Sequence, residues 1–366
     1  MSQEAPGSPD VSLSSPAAGP GRHGLTYPCE TPGDGHSLPV AEGVRWIRMP
    51  MPGSLKYINL WAIQDDSPGQ PGWTLVDTGL QLPDTAAAWR RVLAEDLAPG
   101  TPRRIIATHM HPDHVGMVGW LAKKLDIALW MTRLEYLTCR VLVADTGRPA
   151  PQDGERFYRA AGWTDDQIEV YRTRFGGFGK SVYALPDSYR RMRDGEVIRI
   201  GLHDWTVVVG TGHSPEHACL YCPDLKLLIS GDQVLPKISS NVSVHPTEPD
   251  ADPLGDWLNS IDKIRALVPD DVLVLPAHNE PFHGLHARLN RLAAGHARGL
   301  DRLLERLSEP RRVVDVFGAL FARPINTDSL LSLATGEALA HLNHLLAQGR
   351  ITRRKDEAGV HWYQAA

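Results

Sequence analysis

Six consecutive residues, HMHPDH from His109 to His114, contain three histidines and one aspartate. Imidazole nitrogen together with carboxylate oxygen suits zinc, iron or manganese, whereas a set made only of carboxylates suits calcium or magnesium. Solvated side chains and an aspartate that caps a helix would also explain such a segment when it is taken alone. The residue types therefore raise a metal site as a hypothesis that needs support from elsewhere in the chain.

That support comes from other histidine and aspartate residues in the same local setting. His109 follows the apolar run RRIIAT, and His213, Asp232 and His278 follow WTVVVGTG, KLLISG and VLVLPA. Short apolar runs that end in turn or polar residues predict β-strands. Side chains at strand ends are held rigidly and still face a cleft. The recurrence of this arrangement favours a metal site over a polar loop.

The strands that must position these residues fall into two series. The first comprises GVRWIRMPMP, YINLWAIQ, GWTLVDTG and RRIIATH, and the second comprises GEVIRIG, DWTVVVGTGH, KLLISGD and DVLVLPAH. Helical patterns such as TAAAWRRVLAEDL lie between strands. This alternation indicates an α/β or a layered α+β domain.

The 366-residue chain is longer than one typical domain. We expect a disordered tail over residues 1–24, a main domain over 25–305 with an inserted cap at about 131–190, and a small domain over 306–366. Aromatic residues of the cap either line an apolar substrate pocket or pack the cap onto the body. They are Tyr136, Phe157, Tyr158, Tyr171, Phe175 and Phe178.

Composition narrows the classes of partner. A net charge of −5 provides no overall basic field that would collect nucleic acid or an anionic membrane. The sequence shows neither a long apolar run nor the pattern of a secretion signal, so we expect no membrane span and a cytoplasmic location. Cys219 and Cys222 form a C-x-x-C within a predicted strand, where such a pair points to opposite faces, and we expect a structural role for them.

The motifs together resemble those of the metallo-β-lactamase-fold hydrolases. THMHPDH is similar to the family's His-X-His-X-Asp-His signature, and TLVDTG, GTGHSPEH, SGD and PAH are similar to its first, third, fourth and fifth motifs, in the same order. The resemblance spans roughly residues 40 to 290. It implies an α+β fold, a four-layer αββα sandwich that carries metal ions at one edge.

By motif match, the resemblance also implies a binuclear site for divalent metal ions. Zinc is expected, with iron or manganese as alternatives. Asp77 would support the site by bonding to turn backbone or to a ligand histidine, or would be only a turn residue before Gly79. The implied ligands are His109, His111 and His213 for one ion, Asp113, His114 and His278 for the other, and Asp232 between them.

The function implied is hydrolysis of a small activated acyl compound, such as a thioester, ester or lactone, by a metal-bridging hydroxide. Asp113 and Asp232 would be catalytic by orienting this nucleophile, and Asp113 would also deliver a proton to the leaving group. The oxygen-reducing di-iron branch of the family has the pattern His-X-Glu-X-Asp, with glutamate at the position that His111 occupies here. This difference favours hydrolysis over reduction of oxygen. GHSPEH resembles the corresponding stretch of hydroxyacylglutathione hydrolases.

Three alternatives stay open: a phosphodiesterase or endoribonuclease on the same metals, a mononuclear iron enzyme similar to persulfide dioxygenases, and a nucleic-acid-binding regulator. The C-terminal segment resembles the winged-helix extension of some family members. Its helix GEALAHLNHLLAQG carries no Arg or Lys, which disfavours nucleic-acid readout, and a homodimer contact or a cover for the active site is favoured instead. We expect His341 and His344 to be solvated on the polar face of this helix.

Overall fold

The computed structural model describes residues 24–366, so the tail predicted for residues 1–24 lies almost wholly outside the described residues. None of the helices in the described range combines the length and the apolar composition that crossing a bilayer requires. The α-helices are α1 Pro83–Arg91, α2 Pro112–Val115, α3 Val118–Leu125, α4 Arg133–Ala144, α5 Gln152–Ala160, α6 Asp165–Arg174, α7 Pro253–Leu267, α8 Leu285–Arg306, α9 Phe317–Leu320 and α10 Asp328–Ala347.

The first sheet holds seven strands within the described chain, in the order in which they occur in the sequence. Strands β1 to β4 pair antiparallel, and strands β4 to β7 pair parallel. Because parallel strands end at the same edge of a sheet, the residues that follow β4 and β5 come together there. The strands are β1 Ser37–Ala41, β2 Val44–Pro50, β3 Tyr57–Gln64, β4 Gly72–Val76, β5 Thr101–Ile106, β6 Ala128–Met131 and β7 Arg190–Arg191.

The second sheet has the order β12-β11-β10-β9-β8 in residues 24–366. β11 and β12 are parallel, and their ends therefore bring Asp232 and His278 to one edge. His217, at the start of β10, pairs with Gly210 at the end of β9, which places His213 at this same edge. The strands are β8 Val197–Ile200, β9 His203–Gly210, β10 His217–Cys222, β11 Leu227–Gly231 and β12 Leu273–Pro276.

Apolar clusters on the faces of the two sheets define four layers. Trp46 and Trp61 of the first sheet and Trp205 of the second belong to one apolar cluster, which forms a core between the sheets. A second cluster fills the space between the outer face of the first sheet and α1 and α3. A third covers the outer face of the second sheet with α7 and α8. The predicted four-layer αββα architecture is therefore confirmed.

The cysteines of the C-x-x-C occupy opposite faces of β10, as predicted. Cys219 packs with the helices outside the second sheet, and Cys222 packs between the sheets. Both thiols are free and buried, and burial raises the pKa of Cys219 to about 12. Their role is packing.

The segment between β6 and β7 contains α4, α5 and α6, and several of its aromatic residues pack into the apolar clusters. The ring of Tyr136 stacks on Tyr189 with centroids 3.8 Å apart. Tyr158 and Tyr171 join the cluster outside the second sheet. The indole of Trp163 donates to the hydroxyl of Thr335 in α10 at 3.0 Å. The role of this segment as a cap, and the three domain boundaries, stay predictions.

The C-terminal part consists of α9, α10 and a hairpin of β13 Ile351–Lys355 and β14 His361–Ala365. The predicted solvation of His341 and His344 is wrong. His341 is 3% exposed and donates from Nδ1 to the carbonyl of Glu337, while His344 is half-buried and bonds to Asp252. The reason is that α10 packs against α7, α8 and α9, so that its second half has no solvated face. This burial leaves little of α10 free to enter a nucleic-acid groove, and the winged-helix assignment stays a prediction.

We expect Leu342→Ala to lower the free energy of unfolding by about 3 kcal/mol, because it removes a fully buried side chain from the cluster that α10 shares with α7 and α8. Leu330→Ala, on the same helix but 41% exposed, is the matched control and should change stability by less than about 0.5 kcal/mol. Urea unfolding measures both. A separate early transition for Leu342→Ala would show instead that the C-terminal part unfolds on its own.

Candidate metal centre

The edge where the two sheets meet gathers every ligand that the sequence predicts. The loop after β5 and the short helix α2 supply four of these residues, and the ends of β9, β11 and β12 supply the rest. The ligand atoms form two groups, and within each group they lie within 4.8 Å of one another. The first group is His109, His111, His213 and Asp232, and the second is Asp113, His114 and His278.

The carboxylate of Asp232 lies between the two groups. Its Oδ2 atom is 3.3 Å from Nε2 of His213 and 4.0 Å from Nε2 of His109. Its Oδ1 atom is 3.5 Å from Nε2 of His278 in the other group. Oδ2 also lies 3.7 Å from Nε2 of His114, so the carboxylate approaches histidines of both groups, a position that would suit a ligand shared between two ions.

Buried atoms without partners show that this donor set fits metal ions. Nε2 of His114, Nε2 of His213 and Oδ1 of Asp232 are buried and have no hydrogen-bond partner in the described structure. Buried polar atoms are nearly always satisfied in folded proteins, so unpaired ones need an explanation. All three atoms face the same centre, and imidazole nitrogens with carboxylate oxygens are ligands of divalent transition metals. The centre can therefore hold divalent cations.

Asp77 holds the histidine loop in place and does both things expected of a supporting residue. Its Oδ1 accepts the backbone N–H of Thr108 at 2.8 Å, and its Oδ2 accepts the hydroxyl of Thr108 and Nδ1–H of His114 at 2.8 and 2.7 Å. Asp77 itself has a left-handed backbone, with φ of 61°. Because Nδ1 of His114 donates, the lone pair of its Nε2 is directed to the centre.

Backbone carbonyls fix two more ligand rings in the same way. Nδ1 of His213 lies 2.7 Å from the carbonyl of Asn241, and Nδ1 of His278 lies 3.0 Å from the carbonyl of Tyr57. A carbonyl can only accept, so each Nδ1 carries the hydrogen and each Nε2 presents its lone pair to the centre.

Glu135 is a supporting residue that sequence reasoning missed. It is fully buried in α4, where its two oxygens accept the backbone N–H groups of Met110 and Glu216 at 2.9 and 2.8 Å. Burial raises the pKa of this carboxyl group. Glu135 therefore ties the loop of the first three histidines to the loop after β9. An isolated glutamate on a predicted helix carries no local signal of this role.

His217 has a positioning role as well. The residue is fully buried, and its Nε2 accepts the backbone N–H of Asp232 at 3.0 Å. Burial lowers the pKa of the His217 imidazole well below its usual range. The neutral ring is the form that can accept, so His217 fixes the start of the segment that carries Asp232.

Charged neighbours at the centre shift one another's pKa values. Burial opposes ionisation of Asp232, but His278 and His114 outweigh it and hold the pKa of Asp232 well below its usual range. Burial likewise opposes protonation of His114, but Asp77, Asp113 and Asp232 raise the pKa of that imidazole well above its usual range. Metal binding must displace such protons, so affinity for metal should rise with pH.

Comparison with known proteins decides the family. The family model described as the Metallo-beta-lactamase superfamily matches residues 56–278. The chain belongs to the metallo-β-lactamase superfamily. A second model, described as the metallo-beta-lactamase-like C-terminal domain, matches residues 300–366.

Relatives extend this finding. A beta-lactamase domain protein from Burkholderia ambifaria is 36% identical, with a TM-score of 0.86 over 94% of this chain and 99% of its own. A metallo-beta-lactamase family protein from Thermus thermophilus is 25% identical, with a TM-score of 0.74 over 90% of this chain and 100% of its own. Acyl-coenzyme A thioesterase MBLAC2 from Gallus gallus is 28% identical over 273 residues, which cover 70% of this chain and 84% of that protein. The protein is a metal-dependent hydrolase of this superfamily.

Asp232→Ala should remove metal from the protein, because Asp232 faces both groups of ligands. We expect about two divalent ions per wild-type chain and a clear loss in the variant, measured by elemental analysis. Asp271→Ala, which removes a carboxylate from an exposed ion pair with Lys226, is the control and should keep the wild-type content. Equal metal content in all three proteins would contradict the assignment.

Glu135→Gln should weaken metal binding by about 10-fold to 100-fold, since an amide can accept only one of the two backbone N–H groups that the carboxylate accepts. The dissociation constant is measured by competition with a chelator. Glu169→Gln, at an exposed position of α6, is the matched control. If both variants bound metal like the wild type, Glu135 would have no positioning role.

Proposed function

We propose that the protein hydrolyses an activated acyl compound at a binuclear centre made by His109, His111, Asp113, His114, His213, Asp232 and His278. The observation that carries the proposal is the position of Asp232, whose carboxylate lies close to histidines of both groups of ligands. Zinc is the expected metal, since four-coordinate sites rich in histidine suit it, while iron and manganese accept the same ligands.

Two divalent cations at such a centre lower the pKa of a water molecule and polarise the scissile carbonyl group. The chain's own contribution is to orient that water and to move its proton. The side chain of Asp113 is 16% exposed, against 10% for Asp232, and its Oδ2 lies 3.3 Å from Nε2 of His278. Asp113 is thus the carboxylate closer to solvent. It would accept the proton of the attacking water and hand it to the leaving group, while Asp232 would hold the water in place.

Among acyl compounds, a thioester is the substrate that we favour. Relatives at 28% identity are named acyl-coenzyme A thioesterases. A thiol has a pKa of about 8.5, so a thiolate leaves without full protonation and needs little proton transfer from Asp113. The buried half of α10 supports a small-molecule substrate over nucleic acid.

The test is hydrolysis of acyl-coenzyme A, a p-nitrophenyl ester and bis-p-nitrophenyl phosphate by wild type, Asp232→Ala and Asp113→Asn. We expect the wild type to release thiol from the thioester and both variants to lose at least about 100-fold in kcat/KM. This loss is larger than the roughly 10-fold to 100-fold decrease that is typical when a residue bonded to a metal ligand is replaced. Asp271→Asn is the matched control, because its carboxylate is exposed and precedes β12, at the end of the strand away from the ligands.

Two results would contradict the proposal. Rapid cleavage of the phosphodiester with no release of thiol or p-nitrophenolate from the acyl substrates would favour the phosphodiesterase alternative. One tightly held iron per chain, with consumption of oxygen, would favour the persulfide-dioxygenase alternative.

A further inference from the structure

A basic cavity of about 300 Å³ lies between α8, α10 and the loop that follows β11. We call it the basic pocket. Five cationic side chains and a single acidic one are among the described residues that line it. They are Lys237, Arg288, Arg291, Arg298, Arg302 and Glu337.

The arginines of the basic pocket have no acidic partners. Within residues 24–366, no ion pair includes any of the four. Arg288 is 5% exposed and donates only to backbone carbonyls, those of Leu235 and Ile238. Burial and the charge of Arg291 lower the pKa of Arg288 to about 10. A buried cation that lacks a counter-charge is costly, so an anion in this pocket would be strongly favoured.

A buried histidine in the pocket wall also lacks a partner. His341 donates from Nδ1 to the carbonyl of Glu337, so its Nε2 accepts from Nδ1–H of His296 at 3.3 Å. That leaves Nε2 of His296, a residue 6% exposed, with no partner in the described structure. This unused lone pair can only accept, so it is a sign that a ligand with an N–H or O–H group belongs here; an ionised phosphate oxygen would not satisfy it.

The acid in the pocket opposes an anion only weakly. Burial raises the pKa of Glu337 to about 7, and its Oε2 accepts the side-chain N–H of Asn241 at 2.8 Å. Near neutral pH the carboxyl group is therefore partly protonated, and the pocket keeps a large positive excess.

The basic pocket and the metal centre share a wall. The carbonyl of Asn241 accepts from the ligand His213, and the side chain of Asn241 reaches Glu337 in the pocket. On the same loop, Lys237 pairs at 2.6 Å with Glu280, two residues after the ligand His278. The segment that carries Lys237 and Asn241 therefore contacts both sites.

We propose that the basic pocket binds phosphate groups of the substrate, so that the acyl group cleaved at the metal centre is carried as a thioester by a phosphate-bearing coenzyme. This inference rests on the proposed function. Guanidinium groups bind phosphate oxygens in bidentate fashion, and a cluster of several matches a carrier with more than one phosphate. The positive pocket also attracts such a substrate from solution.

Two positions on α8 allow the pocket to be tested without touching the metal centre. Arg298 is exposed at the pocket rim and forms no ion pair in residues 24–366. Gly295 lines the pocket, and a Cβ atom there would meet nothing within 4 Å. A larger residue at 295 therefore extends into open space, and it favours the helix, because glycine inside a helix costs about 1 kcal/mol relative to alanine. Arg306, on the same helix and outside the pocket, is the charge-matched control.

The experiment compares kcat/KM for an acyl-coenzyme A with that for the same acyl group on N-acetylcysteamine, a thioester that has no phosphate. Arg298→Gln should lower the ratio of the two values by about tenfold, since one charge-assisted hydrogen bond is worth about that factor. Gly295→Leu should also lower it, because the new side chain occupies space in the pocket. Arg306→Gln should keep the wild-type ratio. A ratio that stays the same in both pocket variants overturns the proposal.

Calorimetry with coenzyme A, pantetheine and inorganic phosphate separates the remaining cases. If the wild type cleaves neither thioester, the proposed function fails. Binding measurements alone then test whether the basic pocket binds phosphate groups. The proposal is supported if the wild type binds coenzyme A more tightly than pantetheine and if Arg298→Gln weakens coenzyme A binding about tenfold. Equal affinity for coenzyme A and pantetheine overturns it. If inorganic phosphate binds and is lost in Arg298→Gln while the kinetic ratio does not change, the pocket serves free phosphate and the assignment to substrate is overturned.

Discussion

The rest of the structure depends on the buried carboxylate of Asp232, because its charge must be compensated by the groups around it. It lies between two groups of ligands and is surrounded by histidine rings that approach one or other of its oxygens. Such a group is stable in a protein only when positive charge and hydrogen bonds compensate its loss of water. The ends of β5, β9, β11 and β12 must therefore converge on it. Since two of these strands are paired in parallel, and the sheets pack face to face, the inter-sheet core fixes the distances at the centre.

Supporting residues then convert a cluster of side chains into a directed set of ligands. Asp77 and Glu135 accept backbone N–H groups from the histidine loop, and His217 accepts that of Asp232. Each bond satisfies a buried group and also removes a freedom that a ligand would otherwise have. The left-handed backbone of Asp77 belongs to this arrangement, because it turns the carboxylate back toward the loop that it holds.

Asn241, in the loop after β11, joins the C-terminal part to the centre. Asn241 bonds to His213 on one side and to Glu337 of α10 on the other. The second half of α10 is mostly buried in the cluster that covers the second sheet. It shapes a cavity beside the metal centre.

Local sequence patterns determined much of this protein. Apolar runs that end on His109, His213, Asp232 and His278 gave the strands and the ligands together, because a strand and the residue after it are read from adjacent positions. The alternation of side chains likewise placed Cys219 and Cys222 on opposite faces. Tertiary structure alone decided the roles of Glu135 and His217, the burial of His341, and the gathering of four arginines and Lys237 around one cavity. These features depend on contacts between residues far apart in the chain, and neither residue type nor periodicity reports which distant backbone group or charge a side chain will meet.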